Sequence, residues 1–417
     1  MASIRELMRG NLLIFTMGDV LRQFSMFITF PYLSLYVQAL GGSVVDIGIV
    51  NSLRPMTALF IYPIAGYLSD HYSRVKIIAV TGFIGSLVWF CFIFARDWRW
   101  LALGNLLMGV MTFYFPAANS LMAESLPRGK RALGYSMWQA IPLAAGIFSP
   151  LAGGYLISLW GVDAAMRFLY GLTMVVAILI AAMNYRYLKE SERTLRENSL
   201  NPVEFLVKSY REVIDVVRWL PRNLKAYGVM LVLGFFFNSM VSSYWVIYAV
   251  EVIELSEVQW GLVLLISTVI NVLLLLPAGM VVDRFGPKRV LTIALVLGAA
   301  PILVFTYIQS FYAVIAILVL VTIANSFLMA GAPAYMAKAT PSETRGRIMS
   351  ALGQGMLLVN IRGGGTGGPG MGALLTIPTI AGSLLGGVVY SFNPQLLWVS
   401  FGLSMLLSAA IGTMFLE

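Results

Sequence analysis

Charge is scarce in this chain. Asp, Glu, Lys and Arg make up 11% of its 417 residues, where soluble domains carry roughly 25%. Hydrophobic residues fill 59%. So much apolar surface cannot be hidden in a water-soluble core, so lipid is the expected solvent. Cysteine is nearly absent. The single Cys91 excludes an internal disulfide and sits in an apolar run, where packing is its expected role. No Gly-Lys-Ser/Thr phosphate loop occurs, which excludes direct drive by ATP. No small-residue cleavage site follows the basic start, and Asp19 and Arg22 interrupt the first apolar run, so an uncleaved first span is expected rather than a signal peptide. No metal-ligand cluster or cofactor motif is read. Gly363-x-Gly365-x-x-Gly368 matches a dinucleotide fingerprint by letter only, with no βαβ unit around it.

What the chain does have is runs of roughly 20 apolar residues, enough to cross a bilayer as a helix. They are continuous rather than alternating, and lipid admits only helices or closed barrels, so the spacing predicts helices. Twelve spans are expected, near 12–39, 45–69, 76–95, 100–123, 131–158, 166–186, 226–250, 258–282, 289–308, 311–337, 346–390 and 396–416, the eleventh being anomalously long. With alternate loops on alternate sides, 22 of the 28 Lys and Arg fall on one side, and the other side holds Arg96, Arg99 and Arg167. Positive loops stay in the cytoplasm. A multi-pass protein of the cell membrane with both termini cytoplasmic is expected, and the net charge of +9 is read as orientation, not as a nucleic-acid footprint.

The halves repeat. Gly66-Tyr67-Leu68-Ser69-Asp70-His71-Tyr72-Ser73-Arg74-Val75-Lys76 returns half a chain later as Gly279-Met280-Val281-Val282-Asp283-Arg284-Phe285-Gly286-Pro287-Lys288-Arg289. Ile47-Gly48-Ile49 falls on Trp260-Gly261-Leu262 at the same offset. An even number of spans per half makes this a parallel repeat about an axis along the membrane normal. Expected domains are a six-helix bundle over 1–188, a linker over 189–224 with an amphipathic segment between Pro202 and Pro221, and a second bundle over 225–417. The linker reads as a connector or as a regulatory site.

A hinge of this kind, placed between two spans and present twice, resembles the major facilitator superfamily over nearly the whole chain. The resemblance implies an all-α membrane fold of twelve transmembrane helices in two pseudo-symmetric six-helix bundles. It also implies a transporter rather than an enzyme, and a cytoplasmic gate in which the hinge Asp and Arg latch the halves. Gly66, Asp70 and Arg74, with Glu124, would form one latch, and Gly279, Asp283, Arg284 and Arg289 its mirror. The run Ala145–Gly154 resembles the glycine-proline motif of exporters, with Ser149 in place of one Gly.

Ionisable residues at membrane depth are functional candidates. At 1.5 Å per residue, Asp19 and Arg22 lie about 12 and 16 Å into the first span, on one face, with Arg54 at similar depth. One reading is structural neutralisation. The other makes Asp19 a proton carrier, with a surplus arginine left to grip a carboxylate or phosphate. Gln23, Asn119, Gln139, Asn238, Tyr244, Trp245, Tyr248, Asn325 and Arg362 are further substrate-contact candidates, each alternatively interhelical glue. Arg362 opens a glycine-rich run to Gly372, and the second half is distinctly longer there than the first. A broken eleventh helix is expected, its loop in or at the mouth of a central cavity. The expected function is secondary active transport by a monomer that takes a small-molecule substrate and needs no cofactor. Proton-coupled export of drug-like or amphipathic compounds is the main reading. Alternatives are an organic-anion transporter using buried arginines, and a transport-dead sensor or scaffold.

Overall fold

A computed structural model describes residues 8–127, 131–190, 211, 215–216, 218–341, 344–363 and 371–416, with the backbone alone at 70, 131, 132, 346 and 347. The first six spans are α1 (Gly10–Ala39), α2 (Val44–Ser69), α3 (Arg74–Ile93), α4 (Trp98–Ser125), α5 (Leu133–Trp160) and α6 (Val162–Tyr187). The second six begin with α7 (Arg222–Ser242), α8 (Glu257–Phe285), α9 (Pro287–Phe305) and α10 (Phe311–Ala339). A short α11 (Arg345–Leu352) precedes α12 (Ala373–Phe392) and α13 (Gln395–Phe415). Twelve of the described helices are long and apolar enough to cross a membrane. The linker over 189–224 lies largely outside the described residues.

Local chemistry sets the helix starts. Ser43 and Asp46 form a capping box at the start of α2, and Ser256 with Gln259 forms another at the start of α8. The two boxes are related by the same offset as the hinges. Ser73 caps α3 by accepting from Lys76 N–H. Its counterpart Gly286, at φ +84°, ends α8 and starts α9 in a conformation that favours glycine. The seventh span departs from the expected 226–250. α7 stops at Ser242, and one short helical turn and one π-turn carry the chain to Val252. At the equivalent place in the first half, α1 loosens to a 3₁₀ turn at Phe30–Tyr32.

The first six helices pack on one another, the last six do likewise, and the sets meet along α2–α12 and α5–α8. The ends fall on two faces. Asn11 bonds Ser125 and Lys189, and Lys288 bonds the carbonyl of Leu416. These residues and the hinges share one face, the basic face. The loops at 40–43 and 253–256 lie on the far face.

Candidate functional site

The two halves close against each other at the far face. Gly48 meets Ser383 and Gly387 of α12, where an added Cβ would lie 2.5 Å from Ser383 O. Gly154 meets Glu257 of α8, where one would lie 2.2 Å from the carbonyl oxygen. Only glycine allows backbones this close. Tyr32 donates to Pro150 O (2.6 Å) and Glu257 O (3.3 Å), Ser34 to Ser243 O (2.6 Å), Gln38 to Glu251 (2.7 Å) and Tyr244 to Val44 O (2.9 Å). At the basic face the hinge glycines are uncovered. A Cβ on Gly66 or Gly279 would meet nothing within 4 Å.

The long eleventh segment turns inward. α11 ends at Leu352, yet Gly372 lies against Ala351 O and Gly353 N, so the chain leaves α11 and rejoins it at one point. The described ascending limb, 353–363, has no helix. It runs beside α7, with Leu352 next to Gly228, Leu357 next to Gly234, Asn360 on Asn238, and Gly363 near Ser242. By the rise of α7 it climbs about 21 Å. Leu357, Val359 and Ile361 are buried at alternate positions, the period of extended backbone. Side chains of the second half satisfy its backbone. Tyr227 donates to Gly355 O (2.6 Å), while Val359 N–H donates to Asn325 and Asn360 N–H to Asn238 (both 2.8 Å). Residues 364–370 of the expected loop lie outside the described residues.

The expected site residues are only partly brought together. Asp19, 8% exposed, accepts from Arg22 (2.9 Å) and from Trp138 Nε1 (2.6 Å). Arg22 lies over the rings of Tyr114 and Phe115, and Arg54 over Phe30 at 5.8 Å. Arg362, from the inserted strap, lies over Phe27 at 4.9 Å and donates to Thr268 (3.2 Å). Asn238 and Asn325 hold the strap instead of facing open space. Gln23 packs on Gly146, while Asn119 and Gln139 are exposed. Tyr244 stacks on Tyr390 at the seam (4.9 Å). Trp245 and Tyr248 depart from the expected substrate wall. They are buried with Phe305 and Trp398 in the core of the second half, on the short turn and π-turn that follow the end of α7 at Ser242. Trp138 and Asn360 were not flagged in the sequence. Trp138 is 119 residues from Asp19, and no local pattern links them.

Among the described residues, the hinge ion pairs fall in the first half alone. Arg74, 5% exposed, reaches Glu124 at 2.5 Å within the first half. Glu190, unflagged in the sequence, accepts from Ser73 Oγ (2.5 Å) and from the N–H groups of Arg74 and Val75, where the start of α3 favours a negative charge. Asp283, Arg284 and Arg289 are exposed, with no ion pair among the described residues, and the side chain of Asp70 lies outside them.

The family model of the Major Facilitator Superfamily matches residues 16–270 and 227–417. The multidrug resistance protein MdtG of Salmonella typhi is 25% identical over 411 residues, covering 92% of this chain and 95% of that one. In fold the chain is similar to a bacterial homologue of the human lysosomal transporter Spinster in an inward-facing, occupied conformation (TM-score 0.71, 14% identity, 97% of this chain and 95% of that one). It is also similar to the nucleoside transporter NupG (TM-score 0.67, 14% identity, 98% of this chain and 99% of that one). With a duplicated twelve-span bundle, hinges between its spans and a family match from end to end, the chain belongs to the major facilitator superfamily and is a membrane transporter, not an enzyme.

Proposed function

We propose that this transporter exports drug-like, amphipathic small molecules from the cytoplasm, driven by protons and working by rocking of its two halves. One observation carries the reading. The seam is packed glycine against backbone at the far face, while the hinge glycines at the basic face have nothing against them. Lys and Arg concentrate on the basic face, so that face is the cytoplasmic one under the positive-inside rule, and the arrangement is open inward. Asp19 is the coupling carboxylate of the proposal, being the one acidic residue deep in the described spans. The multidrug relative supports export over import. A single chain contains both halves of the pathway, so a monomer is the proposed working unit.

The test is reconstitution into vesicles with an imposed pH gradient and the neutral dye N-phenyl-1-naphthylamine. Gradient-driven dye movement that Asp19→Asn abolishes is expected. Equal movement with and without the gradient would remove proton coupling, and undiminished movement in Asp19→Asn would remove Asp19 from it.

A further inference from the structure

A cavity lies off the seam, inside the first half. It holds about 830 Å³ of empty space, its mouth included, and is lined by α1, α2, α3, α4 and α6, with no lining residue from the second half. Small-molecule sites are concave and mostly apolar, with a few polar groups that fix orientation. The walls here are of that kind, soft and apolar, with Met26, Trp89, Met108, Met111 and Phe115, and Gly82, Gly85 and Ala177 leave the room. Two charged residues line it, Arg22 and Arg54.

The charges do not balance. Asp19 neutralises Arg22 at 2.9 Å, but the Nε of Arg22 is buried without a hydrogen bond. Arg54 has no carboxylate partner among the described residues; its contact is the ring of Phe30. Asn184, 2% exposed, also lines the cavity and has a buried Oδ1 without a partner. A cation at membrane depth is costly unless paired, and a planar guanidinium is suited to a carboxylate or phosphoryl group.

We propose that this intra-bundle chamber is a binding site for an amphipathic organic acid, a single carboxylate or phosphoryl group on an apolar body. The acid group pairs with Arg54, and the body lies against the methionines, Trp89 and Phe115. The site is separate from the seam between the halves. All its walls belong to one bundle and move together when the halves rock, so occupancy does not depend on which face is open. The proposal stands independently of the export reading, and its test reads binding rather than transport.

The full chain in nanodiscs of phosphatidylcholine is titrated with 1-naphthaleneacetate, 1-naphthyl phosphate and neutral 1-naphthaleneacetamide. Wild type is expected to bind the two acids at least tenfold tighter than the amide. Arg54→Gln should erase that preference, and Arg54→Lys should keep part of it. Ala177→Phe, which fills the chamber without touching a charge, should weaken all three probes at least tenfold. A wild type without preference, an Arg54→Gln that retains it, or an Ala177→Phe that binds normally would each overturn the site. Where Arg54→Gln does not fold, Ala177→Phe decides on its own. Oleate displacing the naphthyl acids assigns the site to acids arriving through the bilayer. No displacement assigns it to acids from water, and either result upholds it.

Discussion

Asp19 illustrates what a single position discloses and what it conceals. Its pairing with Arg22 is local, three positions along one helix face, and follows from spacing alone. Its bond to Trp138 depends on how α1 meets α5, which no spacing gives. Trp138→Phe removes a donor to a charged group, a loss of about 1.5–3 kcal/mol, to be read as a lower unfolding midpoint in detergent; an unchanged midpoint would remove this bond from the stability of the first half. Asn325 and Asn238 mark the opposite case. As isolated amides in apolar helices they looked like substrate contacts or glue, and their partners are backbone N–H groups of an inserted segment. Asn325→Leu leaves the Val359 N–H buried without an acceptor, at about 1–3 kcal/mol. Hydrogen exchange over 356–362 should speed up while the helices stay protected. Protection equal to wild type would show that the limb is held by its buried Leu357, Val359 and Ile361 alone.

Helices and their crossings carry the next level. The apolar runs made the spans legible, and the small residues of α5 allow a close crossing. The partner, α8, and the matching pair α2–α12 come only from the fold. Gly48→Leu puts a side chain where even a Cβ would be 2.5 Å from Ser383 O. It is expected to pry the far face apart and favour the opposite opening, read as faster labelling of a cysteine placed at Ser34 in a Cys91→Ser background. Gly66→Leu should do the reverse. It meets nothing now, but obstructs closure at the basic face, so labelling from that face should increase. The break between α11 and α12 was legible as an excess of glycine and of length, but not its path, because the polar anchors that fix it, Asn325, Asn238 and Tyr227, are far away in the chain. Removing 353–372 joins two helix ends that already touch at Ala351 and Gly372. The shortened chain is expected to fold with a lower midpoint and to lose transport. Normal transport would remove the strap from the mechanism.

For the whole molecule, duplication explains most of what is seen. Capping boxes, hinge glycines and the seam glycines Gly48 and Gly261 all repeat at one common offset, whereas Gly387 comes later than that offset would place it from Gly154. The excess equals the length from Gly353 to Gly372. The halves are therefore alike in frame and unlike in filling. The second is occupied by its own backbone, and the first keeps a chamber with an uncompensated cation. Composition anticipated the lipid setting, and the charge distribution argues for both termini in the cytoplasm. Tags at either end should be reached by antibody only after the cells are permeabilised, and staining of intact cells would reverse the assignment.

An insertion whose entrance and exit coincide has a further consequence. It leaves the register of everything after it unchanged, so a lineage can acquire it in one event without rebuilding the bundle around it. The same property makes it portable. Grafted between the corresponding positions of an uninterrupted relative, the segment carries its own arginine, and the recipient would need to supply the two asparagines, the tyrosine, the threonine under that arginine and the small residue beside Leu357 to receive it.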